Sequence, residues 1–561
     1  MQAMNNGLQL DDYFHRAVLV GQDDWSTEGA SAQGLFSFSE GDPKRVMAGM
    51  ESGFGPWWTF EGVKLSFFRP LAEMTHRLDY FLWPNFIPGM HAHSLLWFGI
   101  FIYVVAVLYG RIMEPAWVAG LAACLYAFDE VHGVPVGWLA NRNALLGGVF
   151  GICALIAHDS WRRRGWRAGS AVGPASFLLG LLSAEAALAV GGYLLAYEAF
   201  LLRANVRRAA TGLLPYVIVA LVWRLVYQRL DFGVWGSGAY LDPVLEPLLF
   251  LQAAIERGPI LLLAQWLFPK ASVYGVLHGF WALALWLGAA FFLVVATFIL
   301  LPLLKRDPVA RFWGAGMVGA LLPVCAALPE DRHLLFVGLG AMGLLAQFLG
   351  TWIDGGRVME MPRAQRVGTH SFGLLFVAIH CIAAPLKMPF AATSITDVEK
   401  WSSKPILNLP DSIAGKTVVF VNPPIPFMVV SARYIRIEND RPLPARTLIL
   451  ASGLTGYLDI ARVADRALEI EPERGFMDLP LDRLFRGPTQ PMRIGQQVVL
   501  TDMTAEVLSL TEDQRPLRAR FSFLPPLEDP SLLFFVWEED RFVPFELPAV
   551  GASVRLSPVL F

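Results

Sequence analysis

The chain has 561 residues, 55% hydrophobic and 17% charged, with a mean hydropathy of +0.47 and a formal net charge of −3. A soluble domain carries about 25% charged residues, so a single soluble globule, a disordered chain and a disulfide scaffold are excluded. No basic face advertises nucleic acid.

The charge is unevenly spread. Residues 395–561 hold 22 Asp/Glu and 18 Lys/Arg, an ordinary soluble share, whereas the preceding 394 residues hold the other 53. The expected fold is an all-α polytopic membrane domain followed by a C-terminal β-rich soluble domain. The divisions are a first loop over 1–91, a multi-span region over 92–388 and the β-rich domain over 389–561. Cys124, Cys153, Cys325 and Cys381 lie in apolar stretches, without metal or disulfide spacing.

Apolar runs fall at about 92–110, 115–128, 139–157, 171–183, 186–202, 211–228, 279–303, 311–328, 334–353 and 369–386. A span takes roughly 17–25 mostly apolar residues, so about ten spans are predicted. The stretch 171–202 is long for one span and short for two, which predicts a tight helical hairpin with Glu185 at its tip. The segment 245–268 is interrupted by Glu256, Arg257, Gly258 and Pro259 and is expected to re-enter or lie flat at the interface.

Basic clusters set the orientation. Arg111, Arg162–Arg164 with Arg167, Arg203 with Arg207 and Arg208, Lys305–Arg306 with Arg311, and Arg357 with Arg363 and Arg366 occupy alternate loops. Those loops are expected in the cytoplasm. The loops over 1–91, 129–142, 229–258 and 329–333, together with the tail, are expected outside. An external first loop with no helix before it predicts one further span upstream of this sequence. In the tail, KTVVFVN, FMVVSARYIRI, TLILAS, QQVVLTDMTAEVLSL, ARFSFL, LLFFVWEE and ASVRLSP are β-type runs between Pro and Gly turns. They predict a small antiparallel sandwich or barrel.

The chemistry-bearing residues sit at the external helix ends. Asp11 and Asp12 form an acidic pair in GLQLDDYFHR. A carboxylate near the membrane surface can serve as a general base; a solvated helix cap is the competing account. Arg69 precedes Pro70, and its planar fork suits phosphate or carboxylate; the alternative is an interfacial anchor. His91 and His93 are two residues apart and do not share a helix face, which argues against a metal pair. Asp129, Glu130, His132, Trp138 and Arg142 crowd one external boundary, where ionisable groups line an aqueous cavity or pair with each other. Glu330, Asp331, Arg332 and His333 occupy another. Arg332 there suits an anionic head group or a structural salt bridge.

Taken in order, these segments resemble a known family. FFRPLAEMTHRLDYFLW with GMHAHSLLW, FDEVHGVPVGWLANRNALLG, LLSAEAALAVGGYLLAYE, LPEDRHLLFVGLGAMGLLA and NGLQLDDYFHRAV resemble blocks of the GT-C membrane glycosyltransferases. The closest likeness is to bacterial relatives of the O-mannosyltransferases that carry tetratricopeptide repeats. The likeness covers about residues 6–386. The resemblance implies a sugar moved from a polyprenyl-phosphate donor, with inversion, on the external face of the bacterial inner membrane. The acceptor would be a protein, a glycan or a lipid. By motif position Asp11 would be the catalytic base with Asp12 as understudy. Arg332 would contact the donor phosphate, and Arg69 and Arg142 would shape the cavity; Asp129, Glu130, His132, Glu185 and His333 fall in the same blocks. The family implies no cofactor and leaves a divalent metal open; membrane lipid is a partner and nucleic acid is not.

The departures from the family are specific. Its Lys before the hairpin acid is Ala184 here, its Asn is Ser94, its next His is Phe98, and its His-Pro falls at Asp129–Glu130 and its Glu at Val134. The repeat tail is replaced by the β-rich domain. Two other readings compete: a transporter or lipid flippase, and a non-catalytic envelope scaffold that binds through its tail. A transporter should show inverted repeats and charges in mid-membrane, which the chain lacks. An inactive scaffold would be expected to lose the first-loop acid, which this chain keeps.

Overall fold

A computed structural model describes residues 2–22, 34–355, 363–397 and 401–559. Among them seven helices are long and apolar enough to cross a membrane: 87–112, 139–164, 206–229, 247–266, 279–306, 335–354 and 365–396. Shorter apolar helices occupy 116–127, 169–181 and 308–324. In lipid a segment must satisfy its own backbone hydrogen bonds, so each uninterrupted apolar run winds into a helix. The chain is an integral multi-pass membrane protein with a sheet-rich tail.

Leu335–Asp354 is the axial helix, with nearly every side chain buried. Small residues let its neighbours approach. A Cβ at Gly340 would lie 2.5 Å from the Trp313 carbonyl oxygen, and one at Gly192 would lie 2.7 Å from the Gly319 carbonyl carbon. Around this axis Tyr109, Tyr126 and Tyr193 donate their hydroxyls to the carbonyls of Leu339, Leu335 and Phe336. At one end of the bundle the basic clusters converge on two buried acids. Asp159 takes Arg111 at 3.3 Å and the Tyr197 hydroxyl at 2.8 Å, and Glu198 takes Arg162 at 2.7 Å.

The expected hairpin over 171–202 is present as the helix Gly169–Leu181, a 3-10 turn Glu185–Ala189 and the helix Val190–Ala196, which runs into a π turn Tyr197–Leu201. Its second arm is thus shorter than a full span. The segment expected to be interrupted at 256–259 is instead one continuous helix, Pro247–Trp266. Arg257 is tolerated inside it because its guanidinium donates to the carbonyls of Gly238, Ala239 and Cys325 at 3.0–3.3 Å. Both ends of this helix meet elements of one face. The side chain of Glu246, which precedes it, meets Thr489 of the tail at 3.4 Å, and Gln265 donates to Asp129 at 2.7 Å. Its length and composition are enough to cross a membrane.

The described part of the first loop packs against that tail. A three-stranded sheet joins Ser37–Glu40, Lys64–Ser66 and Gly233–Trp235, and Trp57 and Trp58 insert into the tail's core, 1% and 0% exposed. Their indole N–H groups donate to the carbonyls of Leu450 and Asp482. The tail has two sheets. Six antiparallel strands run in the order 553–556, 458–464, 467–472, 516–523, 503–510, 497–499.

The second sheet corrects the purely antiparallel expectation. Strands 532–538, 417–420 and 446–449 lie parallel, with 541–544 antiparallel at the edge. Thr417–Phe420 is buried at every position, as in a parallel strand covered on both faces. FMVVSARYIRI, expected as a strand, forms the helices Phe427–Val430 and Ala432–Glu438 that cross between parallel strands. Its buried Val429, Ala432, Ile435 and Arg436 follow the helical period. A short apolar run does not distinguish the two periods by itself.

Candidate functional site

On the tail-bearing face a cavity of about 210 Å³ opens between the first helix, the strand end at Leu65–Arg69, the boundary at Trp138–Ala144, the hairpin turn at Ala184–Ala186 and the 3-10 turn Asp331–His333. Phe427, Val430, Ser431, Tyr434, Leu484 and Phe485 of the tail close its remaining side. Its walls are mostly aromatic and aliphatic, and its polar groups are few, a composition typical of ligand sites. Asp11, Arg69, Glu185, Arg332 and His333 all line it.

Asp11 opens the helix Asp11–Val20, where the unpaired N–H groups of the first turn favour a negative charge. It makes no hydrogen bond or ion pair among the described residues. Burial pushes its carboxyl up to about 6, with Arg332 and then Arg69 opposing the rise. Asp12 is one residue, or about 100° of helix, further on, and it faces the protein. Its Oδ1 accepts the Ala140 N–H at 2.7 Å and its Oδ2 the Gln9 N–H at 3.0 Å. Burial pushes Asp12 up to about 8 against those two donors. Asp12 fastens the helix; Asp11 is left available.

Two arginines face the cavity in different states. Arg69 lies over the rings of Phe67 at 4.5 Å and Phe36 at 5.2 Å, and its Nε donates to Glu185 at 2.8 Å. Tyr227 donates to the other oxygen of Glu185 at 3.4 Å. Arg332 stacks on Trp138, 5.0 Å from the ring centroid, and has no carboxylate within 4.0 Å among the described residues. Trp138 is itself held by donation to the Gln9 carbonyl at 3.1 Å. Burial, with Arg332 and Arg69 nearby, lowers the neighbouring His333 to about 3, so its ring is neutral; burial raises Glu330 to about 7. A guanidinium without an ion pair at an apolar-walled cavity has the charge and the planar fork to take an anion.

The other residues singled out in the sequence lie elsewhere. Arg142 is fully buried on Asp79 at 2.6 Å, with Ser94 Oγ at 2.9 Å and the Met90 carbonyl at 2.8 Å, and pins three helices together. Asp129 caps the turn Glu130–His132 and accepts from Gln265, and Glu130 lies 4.0 Å from Lys387. His132 is buried among aromatic rings, 4.6 Å from Tyr126 and 5.6 Å from Phe98. Among the described residues no three His, Cys, Asp or Glu side chains converge to hold a metal. The tail residues of the cavity wall carry no motif. The one sequence signal for them is the Pro423-Pro424-Ile425-Pro426 run before a segment of helical period.

No protein-family model and no curated protein matches the chain. Two solved structures are similar over most of its length. One is the oligosaccharyltransferase of Archaeoglobus fulgidus, at 13% identity and a TM-score of 0.38, covering 78% of this chain and 65% of that one. The chain thus spans just under two thirds of that protein. The other is ArnT from Cupriavidus metallidurans, bound to undecaprenyl phosphate, at 14% identity and a TM-score of 0.31, covering 75% of this chain and 84% of that one. At these identities and scores neither alignment assigns a role to a residue of this chain.

Proposed function

We propose that the protein is a membrane glycosyltransferase that moves a sugar from a polyprenyl-phosphate donor to an acceptor hydroxyl on the tail-bearing face, with inversion. That face is the periplasmic side of a bacterial inner membrane, because the arginine clusters gather at the opposite end of the bundle. One observation carries the proposal: an unpaired carboxylate at residue 11 and an unpaired guanidinium at residue 332 share one apolar-walled cavity.

The chemistry needs both groups. As the acceptor oxygen bonds to the sugar carbon, Asp11 takes the hydroxyl proton. The bond from that carbon to the phosphate oxygen breaks, and the polyprenyl phosphate leaves with the electron pair. A positioned base contributes on the order of 10²–10⁴-fold. The departing phosphate is already a stabilised anion, so it needs a cation more than a proton, and Arg332 supplies it. Arg69, neutralised by Glu185 and stacked on two rings, shapes the wall and restrains the Asp11 carboxyl through space. His333 is neutral beside Arg332 and adds no competing charge.

The test is transfer from undecaprenyl-phosphate sugars in proteoliposomes. Asp11→Asn should abolish transfer while donor binding persists, and Arg332→Ala should weaken donor binding. Full activity in the Asp11→Asn/Asp12→Asn double variant would remove the first-loop acid from the mechanism.

A further inference from the structure

Asp11 and Arg332 carry opposite charges in one apolar-walled cavity. Yet among the described residues neither enters an ion pair with the other or with any third group. Opposite charges attract more strongly in low-dielectric surroundings than in water. Left to themselves, a flexible guanidinium and a nearby carboxylate would close on each other, so the fold must hold them apart.

Trp138 touches both sides of this pair. Its ring carries Arg332, 5.0 Å from the centroid, and its indole N–H donates to the Gln9 carbonyl at 3.1 Å. Gln9 belongs to the segment that delivers Asp11. Two more hydrogen bonds join the same stretches: Asn6 Nδ2 donates to the Gly137 carbonyl at 2.8 Å, and the Ala140 N–H donates to Asp12 at 2.7 Å. Residues 6, 9 and 12 are thus bonded in order to residues 137, 138 and 140, on both sides of Asp11. Between them Leu10 sits at φ 46° and ψ −111°, a backbone that a residue with a Cβ rarely adopts. Its side chain packs with Trp138, Ala140 and Ile395. Strain of this kind persists only where the surroundings over-determine the backbone. The acid is therefore aimed by a segment that Trp138 helps to fix, and the arginine rests on that same Trp138.

We propose that Trp138 is a positioning residue that keeps the Asp11 carboxylate and the Arg332 guanidinium apart, so that one stays free for the acceptor hydroxyl and the other for the donor phosphate. The two roles rest on the glycosyl-transfer proposal above; the separation itself does not. An aromatic face holds a cation through its quadrupole and leaves the charge in place, whereas a carboxylate neutralises it, as Glu185 does Arg69. A ring under Arg332 therefore fixes the cation without spending it. The titratable groups that face Asp11 are Asp12 on its own helix, Arg69 with Glu185, Arg332 with the neutral His333, and Tyr434 of the tail. Arg69 is already engaged by Glu185, so Arg332 is the cation free to close on Asp11 once the ring is gone.

The experiment uses the full-length protein in proteoliposomes and reads the protonation of Asp11 without relying on turnover. Dicyclohexylcarbodiimide reacts with a carboxyl in its protonated form, and peptide mass spectrometry gives the labelled fraction at residue 11 against pH. Trp138→Leu removes the ring; Trp138→Phe keeps a ring and removes the N–H that anchors it. Trp57→Phe deletes another buried indole hydrogen bond, to the Leu450 carbonyl and away from the cavity, and controls for lost stability. A cation at ion-pair distance lowers a carboxyl by about 1–3 pH units. The labelling midpoint should therefore fall by about one pH unit or more in Trp138→Leu, fall less in Trp138→Phe, and stay at the wild-type value in Trp57→Phe. The Trp138→Leu/Arg332→Gln double variant should lose the fall, because no guanidinium remains to close. With undecaprenyl-phosphate sugars as donors, Trp138→Leu should also lower kcat/KM tenfold or more. The proposal is overturned if the midpoint stays or rises in both Trp138 variants, or if Trp57→Phe moves it equally. Absence of donor turnover in the wild type would instead overturn the glycosyl-transfer proposal, and the labelling midpoint would still decide whether Trp138 holds the two charges apart.

Discussion

Burial, opposed by the fields of Arg332 and Arg69, pushes the Asp11 carboxyl up to about 6. A general base works only when ionised. The rate constant kcat/KM, which reports the free enzyme, should therefore rise tenfold per pH unit up to about 6 and level off above it. At pH 5 activity should be about a tenth of the plateau, whereas an Asp at its ordinary value near 3.8 would already be more than about 90% ionised. Arg332→Gln removes the largest influence that lowers this pKa, so the midpoint should move upward. In the proposed mechanism the same variant also loses a charge-assisted contact to the donor phosphate. Such contacts contribute about 1.5–3 kcal/mol, which is roughly a 10- to 150-fold loss in donor kcat/KM on the plateau. The assay is donor consumption against pH between 5 and 8.5. A flat wild-type profile, or a midpoint that stays or moves down in Arg332→Gln, would refute the assignment of Asp11 as the base under the influence of Arg332.

Further outcomes follow from the packing. Asp12→Ala leaves the buried N–H groups of Gln9 and Ala140 without acceptors; at about 1–3 kcal/mol for each, the thermal midpoint should fall even in the absence of substrate. Trp57→Ala empties a site packed edge-on against Phe476 and Phe521 at 5.3 and 5.6 Å and should cost about 3–5 kcal/mol. Limited proteolysis should then release the tail faster than in the wild type. Alkaline phosphatase fused after residue 390 should be active and after residue 165 silent, because the 162–164 arginines lie at the end of the bundle away from the tail. The reverse pattern would invert the orientation and remove the external chemistry.

Hydropathy alone determined most of the helical elements, since an apolar run has few alternatives in lipid, and it separated the tail by its charge density. The motif order also pointed to Asp11 and Arg332. Residue type did not separate neighbours. Asp11 and Asp12 are identical in kind, and only the docking of the Leu139–Asn141 turn onto Asp12 decided that one caps a helix and the other faces the cavity. Arg142 and Arg332 are alike in residue type, but Asp79 pairs with the first, whereas the second stacks on Trp138 and makes no ion pair among the described residues. The continuous helix Pro247–Trp266 became possible only because carbonyls from two distant loops receive Arg257. The tail's part in the cavity was invisible because Trp57 and Trp58 meet their partners about 390–425 residues along the chain. Burial, pairing and the availability of a charge depend on which distant groups come within a few ångströms, and local spacing carries no record of that.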